Sequence, residues 1–402
     1  MDEEGEAPRA FVLKLGRGLH SYGYPAHRLE EALTVVSRRL GLEGQFFSMP
    51  TALFASFGAG EDQKTFQIRV DPGGVNLEKL ALLDAATGAV ARGEMTPEAG
   101  STRLDEIFAA AAPYGLALAT LSFAVASGAA SRFFGGGWRE IAASSAIGLA
   151  IGLLALAVDR VPSAGRIFEP LAATTAAFLA TVAAASAGSL SAYIATVSGL
   201  IVLIPGLSLT AAMTELATRH LVSGTTRLAG TCGTFLVIGF GVALGTRLGE
   251  RVAGDPGAIT PVALPDWTLW AALGIAPLAF TVLLKAQPRD APWIVAAGGL
   301  AFAGARTGVV FLGPELGAFV GALAVGLGSN GYSYVVERPA AVTLVPGILL
   351  LVPGSIGFAS LSSLLERNTV PGIESAFRMT LVAVSLATGL LFANVLLPER
   401  RL

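Results

Sequence analysis

The phrase VSGLIVLIPG at residues 197–206 returns as VPGILLLVPG at residues 345–354. Five of the ten positions are identical, four exchange Leu, Ile and Val, and one exchanges Ser for Pro. Pro205 has no N–H for the carbonyl of Ile201, and Pro353 likewise frees the carbonyl of Leu349. Gly206 and Gly354 beside them permit a turn and a close backbone approach. Each phrase therefore predicts two half-helices that meet inside an apolar run. One ends in free carbonyls and the other opens on free N–H groups. In hydrocarbon each orphan group would cost several kcal/mol unless it lined a cavity or found a partner. The chemistry on offer is a pair of poles, N–H groups for a carboxylate and carbonyls for an ammonium. Ser198 in the first phrase, Ser208 and Thr210 after it, and Ser355 after the second add hydroxyls that could cap a restarted helix or bind a substrate. One such break reads more readily as a packing kink; two related copies favour a site.

Glu215 stands nine residues past Gly206, about 13 Å along a helix. An intramembrane acid is a functional candidate by default, and burial could raise its carboxyl enough to carry a proton. The plainer reading pairs it with Arg219 at i+4. The run GLGSNGYSY (326–334) sets Ser329, Asn330, Tyr332, Ser333 and Tyr334 in an apolar tract. Polar groups there are expected to face a cavity or another helix, unless the tyrosines belong to an interfacial belt. Arg306, deep in another tract, calls for a partner, while Glu169 and Glu315 read as charges at helix starts. His27 and Glu31 sit at i and i+4, a spacing better suited to a solvated helix face than to a metal, because no second ligand pair accompanies them. No cofactor and no metal are expected.

These residues must be held by a particular kind of chain. Of 402 residues, 53% are hydrophobic and 14% charged, against about 25% charged in soluble domains. Residues 1–112 carry 27 of the 56 charges, 11 basic and 16 acidic; the other 290 residues carry 16 and 13. The first quarter reads as a small soluble α+β domain and the remainder as a membrane protein. The opening Met-Asp-Glu-Glu-Gly-Glu lacks the basic and apolar regions of a signal peptide, so residues 1–112 are expected in the cytoplasm. The lone Cys232 reads as a small packing residue. A net charge of −2 and no basic cluster argue against nucleic acid.

In the soluble part, helical spacing joins Phe11, Leu15, Leu19 and Tyr22, then Leu29, Leu33, Val36 and Leu40, closed by Gly41. Strands are predicted at 45–48, 52–57 and 65–70, with helices near 76–92 and 97–112. From Tyr114 onward ten apolar stretches are long enough to span a bilayer, near 115–134, 140–158, 168–187, 190–217, 226–248, 267–285, 291–311, 315–335, 340–364 and 374–396.

The repeat at offset 148 runs on: Arg219 falls on Arg367, Val222 on Val370 and Gly224 on Gly372. Arg139-Glu140 recurs as Arg289-Asp290 at offset 150. Two halves of five spans, 113–258 and 259–402, follow. Five is odd, so the second half enters the membrane inverted, a frequent arrangement in secondary transporters. The expected fold is a membrane all-α protein of about ten transmembrane helices as two five-helix inverted repeats with broken helices, preceded by the domain at 1–112. Ten spans put both termini on the cytoplasmic side, with nine basic residues inside and six outside.

At this point the motifs resemble a known family. In residues 22–57, Gly23, Arg28, Glu30, Gly41 and Leu42 fit the opening signature of the threonine/serine exporter (ThrE) family, with Pro25 and Leu29 as variations. LIPGLSLTAAMTELATRHLVSGTTRL (203–228) is similar to its Pro-Gly phrase followed by an acid and Ser-Gly-x-x-Arg, matched by Pro205, Gly206, Glu215, Ser223, Gly224 and Arg227. Glu215 stands where the family usually has Asp. LVPGSIGFASLSSLL (351–365) is similar to the second conserved segment. The resemblance implies export of threonine and serine across the cytoplasmic membrane, driven by the proton motive force. Its partners would be those amino acids, protons and the lipid bilayer, with a homo-oligomer allowed. On this reading Ser198, Pro205, Gly206, Ser208, Thr210, Asn330, Tyr332, Pro353, Gly354 and Ser355 bind substrate. Glu215 carries the proton, and Arg28, Glu30, Gly224 and Arg227 are family-matched positions. The rivals are a membrane-anchored hydrolase working around His20, His27, Glu30 and Thr51, and an uncoupled channel.

Overall fold

The computed structural model describes residues 3–70, 73–257, 259–365 and 368–400. Its N-terminal part is helical and sheet-forming in the expected order: α1 (Glu3–Ser21), α2 (Ala26–Arg39), β1 (Gly44–Met49), β2 (Ala52–Phe57), β3 (Lys64–Arg69), α3 (Leu77–Ala91) and α4 (Pro97–Ala109). The strands form an antiparallel meander β1-β2-β3, with Phe46 opposite Ala55 and Ala55 opposite Phe66. The helices place Phe11, Leu15, Leu29, Leu33, Leu77, Leu83 and Leu104, each almost fully buried, in one core with Leu53 of the central strand. Side chains satisfy orphan N–H groups where the sequence allows it: Asn76 accepts from Lys79 N and Thr96 from Ala99 N.

This part is tied to the rest of the chain. Leu77 N and Glu78 N donate to the carbonyls of Leu284 and Lys285, both at 3.0 Å, and the Tyr114 hydroxyl donates to Ala286 O at 2.6 Å. The first turn of α3 thus borrows its acceptors from the far half of the chain.

The apolar part contains α5 (Leu116–Phe133), α6 (Trp138–Val158), α7 (Phe168–Ala187), α8 (Ala192–Gly199), α9 (Gly206–Ala217), α10 (Leu221–Ala253), α11 (Trp267–Leu283), α12 (Ala291–Leu312), α13 (Pro314–Val336), α14 (Ala341–Leu349), α15 (Gly354–Leu365) and α16 (Thr369–Leu396). Among the described residues, seven helical tracts are long and apolar enough to cross a membrane, against the ten expected. One of the seven is the interrupted α14/α15 tract; α11 is apolar but has 17 residues. At 33 residues, α10 is about 50 Å long and overreaches a bilayer core of about 30 Å.

Both Pro-Gly phrases break their helices where expected. α8 ends at Gly199 and α9 opens at Gly206, while α14 ends at Leu349 and α15 opens at Gly354. Contacts also recur at the offset of the repeat. A Cβ on Gly224 would lie 2.7 Å from Leu216 Cγ, and one on Gly372 would lie 2.6 Å from Leu364 Cγ. Arg367, the counterpart of Arg219, lies outside the described residues.

Three sequence expectations are corrected. Cys232 is exposed on α10 rather than a packing residue. Arg306 is exposed on the outer side of α12, within reach of the helix end, where a long cation can extend to the interface without an internal partner. His27 is half-buried rather than solvated.

Candidate functional site

The two Pro-Gly breaks meet. A Cβ on Gly206 would stand 2.8 Å from Val352 Cγ2 and 3.1 Å from Gly354 N, and one on Gly354 would stand 2.6 Å from Ile204 Cγ2. Real Cβ atoms do not fit at such distances, so glycine is required at both positions for the backbones to touch. Val352 and Ile204 are themselves repeat counterparts, offset by 148. The contact is therefore reciprocal, Gly206 on Val352 and Gly354 on Ile204. The first turns of α9 and α15, whose N–H groups have no intrahelical acceptor, start side by side.

Each broken helix is pinned at its start by the acid of the second repeated motif. Glu140 is buried; its Oε2 accepts from Gly137 N at 2.9 Å and its Oε1 from Ser191 N at 2.9 Å, at the head of α8. Asp290 is equally buried and pairs with Arg338, just before α14, while the Tyr332 hydroxyl donates to it at 3.3 Å. Tyr332 is thus committed to Asp290 and lies edge-on to Trp293, rather than at the breaks. Asp290 can reach Arg338 because both flank turns at the same end of the bundle.

From the break, α9 carries Thr210 and Thr214 toward the N-terminal domain. Each hydroxyl donates back to the carbonyl four residues earlier, at 3.1 and 2.9 Å. Glu215 follows with no solvent exposure. Arg219 does not pair with it, because α9 has ended and Arg219 takes a left-handed φ of 65° as the chain reverses into α10. Instead Arg227, two turns into α10, donates to both carboxylate oxygens at 2.9 and 2.8 Å. Glu215 Oε1 also accepts from Ala26 N, the first residue of α2, at 3.1 Å. One buried carboxylate thereby joins α9, α10 and the N-terminal domain.

Beside it stands a second polar group. His220 Nε2 lies 3.3 Å from Glu30 Oε2, and the His220 and His27 rings are 6.0 Å apart. Burial lowers the His27 pKa to about 4, with Arg28 and His220 adding to the shift. His27 is accordingly neutral near pH 7, and its Nδ1 is buried without a hydrogen-bond partner. Burial raises the Glu30 carboxyl against the pull of the Ser48 N–H at 2.7 Å and of His220.

Between the N-terminal domain and the bundle lies a cavity of about 120 Å³. It is lined by Leu207 and Ile348, which lie near the breaks along the chain, and by Thr210 and Thr214 of α9. His27, Arg28, Asn394 and Glu399 line it as well. Arg28 Nη1 meets Glu399 Oε2 at 2.9 Å, and its Nη2 donates to Asn394 Oδ1, also at 2.9 Å. Asn330 Nδ2 donates to Asn394 Oδ1 at 3.0 Å and to Leu397 O at 2.7 Å. Asn330 therefore holds a wall residue in place from behind.

Of the residues singled out in the sequence, the structure brings Pro205, Gly206, Pro353 and Gly354 together, and Arg28, Glu30, Glu215 and Arg227 into one polar junction. Thr210 lines the cavity. Ser198 is fully buried with no partner for its hydroxyl, Ser208 and Ser355 are half-buried in the first turns of α9 and α15, and Gly224 packs under Leu216. His20, of the hydrolase reading, contacts Met49 O at 2.7 Å. Sequence reasoning missed Thr214, His220, Asn394 and Glu399. An amide in the apolar tract LLFANVLL was the available signal for Asn394; Glu399 carried none.

A family model described as threonine/serine exporter matches residues 10–249, and a second, "Threonine/Serine exporter, ThrE", matches residues 269–396. Curated relatives bear the name "Pheromone-regulated membrane protein 10". The one from Candida albicans (strain WO-1) is 30% identical over 387 residues, covering 92% of this chain and 34% of the relative. That from Debaryomyces hansenii is 29% identical over 393 residues, covering 92% and 37%. That from Saccharomyces cerevisiae (strain YJM789) is 27% identical over 410 residues, covering 96% and 53%. The chain thus spans about a third to a half of the length of these relatives. No solved structure matches it significantly.

Proposed function

We propose, from the premise that this chain belongs to the threonine/serine exporter family, that it is a secondary active transporter. It moves threonine and serine out across the cytoplasmic membrane, driven by the proton motive force. Residues 1–112 form a cytoplasmic domain, and 113–258 and 259–402 form two inverted halves of five spans, with α8/α9 and α14/α15 as the broken fourth and ninth. Both termini lie on the cytoplasmic side.

One observation carries this reading: the reciprocal contact of Gly206 with Val352 and of Gly354 with Ile204. A local two-fold axis produces such an exchange of partners. An axis in the membrane plane is the signature of inverted-repeat transporters, whose substrates bind where half-helices meet. There the first turns of α9 and α15 supply N–H groups for the carboxylate, and the ends of α8 and α14 supply carbonyls for the ammonium. Ser198, Ser208, Thr210 and Ser355 are the hydroxyls within reach of that point along the chain.

Proton coupling is assigned to Glu215. In its ionised form it holds Ala26 N and Arg227; protonation weakens both bonds and frees the N-terminal domain from α9. Glu30 and His220 offer the proton a partly exposed way in.

Counterflow in proteoliposomes tests the assignment. Vesicles loaded with unlabelled threonine should take up labelled threonine faster than empty ones, with serine competing. Equal uptake in loaded and empty vesicles would refute it.

A further inference from the structure

The geometry points to a substrate site built partly by the N-terminal domain: the Arg28–Glu399 pair receives a zwitterionic amino acid by exchanging its own ion pair for the two charges of the substrate. The inference rests on the transport reading and gives the cytoplasmic domain a direct part in recognition.

The observations are these. The pair lines a cavity of about 120 Å³ that is also lined by Leu207, the residue after Gly206, and by Ile348 near the end of α14. That is small beside the roughly 300–1,000 Å³ of pockets for drug-sized ligands, which suits a small amino acid. Leu207, Thr210 and Thr214 of α9 line the same cavity as the pair, and Leu207 to Thr214 is about 10 Å along the helix, so the cavity follows α9 from the residue after Gly206. Both charges are mostly withdrawn from water, with 21% and 13% of their side chains exposed. A buried ion pair costs nearly as much desolvation as it recovers, so stability is a weak reason to have one here. A site for a molecule carrying both charges is a better reason, because neither residue need be left unpaired when it binds.

Each partner is also held ready by a second bond. Arg28 keeps Asn394 Oδ1, itself fixed by Asn330, and Glu399 Oε1 accepts from Ala340 N at 2.9 Å. Arg28 can thus turn its Nη1 edge to a carboxylate, and Glu399 its Oε2 to an ammonium, without leaving the wall. His27 lines the same cavity and its Nδ1 is buried and unpartnered, a polar atom available to the substrate hydroxyl. Sequence placed Arg28 among matched positions without a role and did not notice Glu399.

Competition in the counterflow assay separates the two charges. L-Threoninol lacks the carboxylate and 3-hydroxybutanoate lacks the ammonium. Wild type should prefer threonine to either by at least about tenfold, the equivalent of 1.4 kcal/mol. Arg28→Gln should lose the preference over threoninol and keep that over 3-hydroxybutanoate. Glu399→Gln should do the reverse. If both variants weaken all three ligands alike, the pair is structural and the inference falls. Arg28→Lys covers a glutamine variant that does not fold: it should raise the half-saturation for threonine several-fold, because the guanidinium fork is lost. An unchanged value would overturn the site. Absence of counterflow in wild type would instead refute the transport reading beneath it.

Discussion

Gly206 and Gly354 lie backbone against backbone, so that a Cβ on either would intrude on the other half of the chain. Alanine at Gly206 would press on Val352 Cγ2, and alanine at Gly354 on Ile204 Cγ2. Overpacking of this kind costs about 1–3 kcal/mol. Each alanine should sharply reduce threonine counterflow while leaving the protein in the membrane. Relief should be crossed: Val352→Ala restores Gly206→Ala, and Ile204→Ala restores Gly354→Ala. Rescue that ignores this pairing would show that the breaks do not meet as described.

The Glu215–Arg227 pair should be costly to break from one side. Glu215 is fully buried while Arg227 keeps 29% of its side chain exposed, which places Arg227→Ala near the lower figure for a stranded buried charge, about 3 kcal/mol. Thermal unfolding of Arg227→Ala in detergent should begin well below wild type. Glu215→Gln keeps the shape but removes the charge. It should fold, exchange threonine and lose accumulation against a gradient; accumulation with wild-type proton dependence would make Glu215 purely structural.

Two groups outside the spans give opposite pH signatures. The His27 pKa is lowered to about 4 by burial, so its contribution to stability is present above about pH 6.5 and lost as pH falls toward 4. His27→Gln should flatten the acid limb of a melting-temperature profile between pH 6.5 and 4. The Asp84 pKa is raised to about 7, again chiefly by burial, so its contribution is present at low pH and lost as pH rises through 7. Asp84→Asn should therefore stabilise at pH 8 and not at pH 4. Parallel profiles for variant and wild type would exclude either role.

Glu140 and Asp290 hold the starts of the two broken helices through different partners, a backbone N–H at Ser191 and the Arg338 guanidinium. Asp290→Asn leaves Arg338 without its countercharge and should destabilise more than Glu140→Gln, which breaks no ion pair and keeps an acceptor for one of its two N–H donors. Melting temperatures of the two variants decide it; no loss in either isosteric variant would mean the acids act only by filling space.

The strand segments and the positions of both breaks were legible because they depend on local signals, alternation and Pro-Gly; apolar run length gave ten stretches, against seven helical tracts long and apolar enough among the described residues. The meeting of the breaks was partly legible, since an internal repeat implies symmetry, but no local signal says that Gly206 faces Val352. The partner of Glu215 was misjudged because i+4 spacing assumes that a helix continues, and the left-handed turn at Arg219 ends it. Arg28–Glu399 and Asn330–Asn394 join residues 371 and 64 positions apart, and no periodicity within one element could link them. His27 looked solvated because its own helix is amphipathic; in the fold it lines a cavity with Leu207, Thr210 and Thr214 of α9, and its ring lies 6.0 Å from that of His220, just before α10.

Accumulation under an imposed proton gradient tests proton-driven export most directly. Vesicles holding the purified protein, with an acidic lumen in neutral buffer, should concentrate labelled threonine above the external level as protons leave. Dissipating the pH difference with nigericin should abolish the excess, and Gly206→Leu should never develop it. Uptake that merely equilibrates, unaffected by the gradient or its collapse, would contradict proton-driven export.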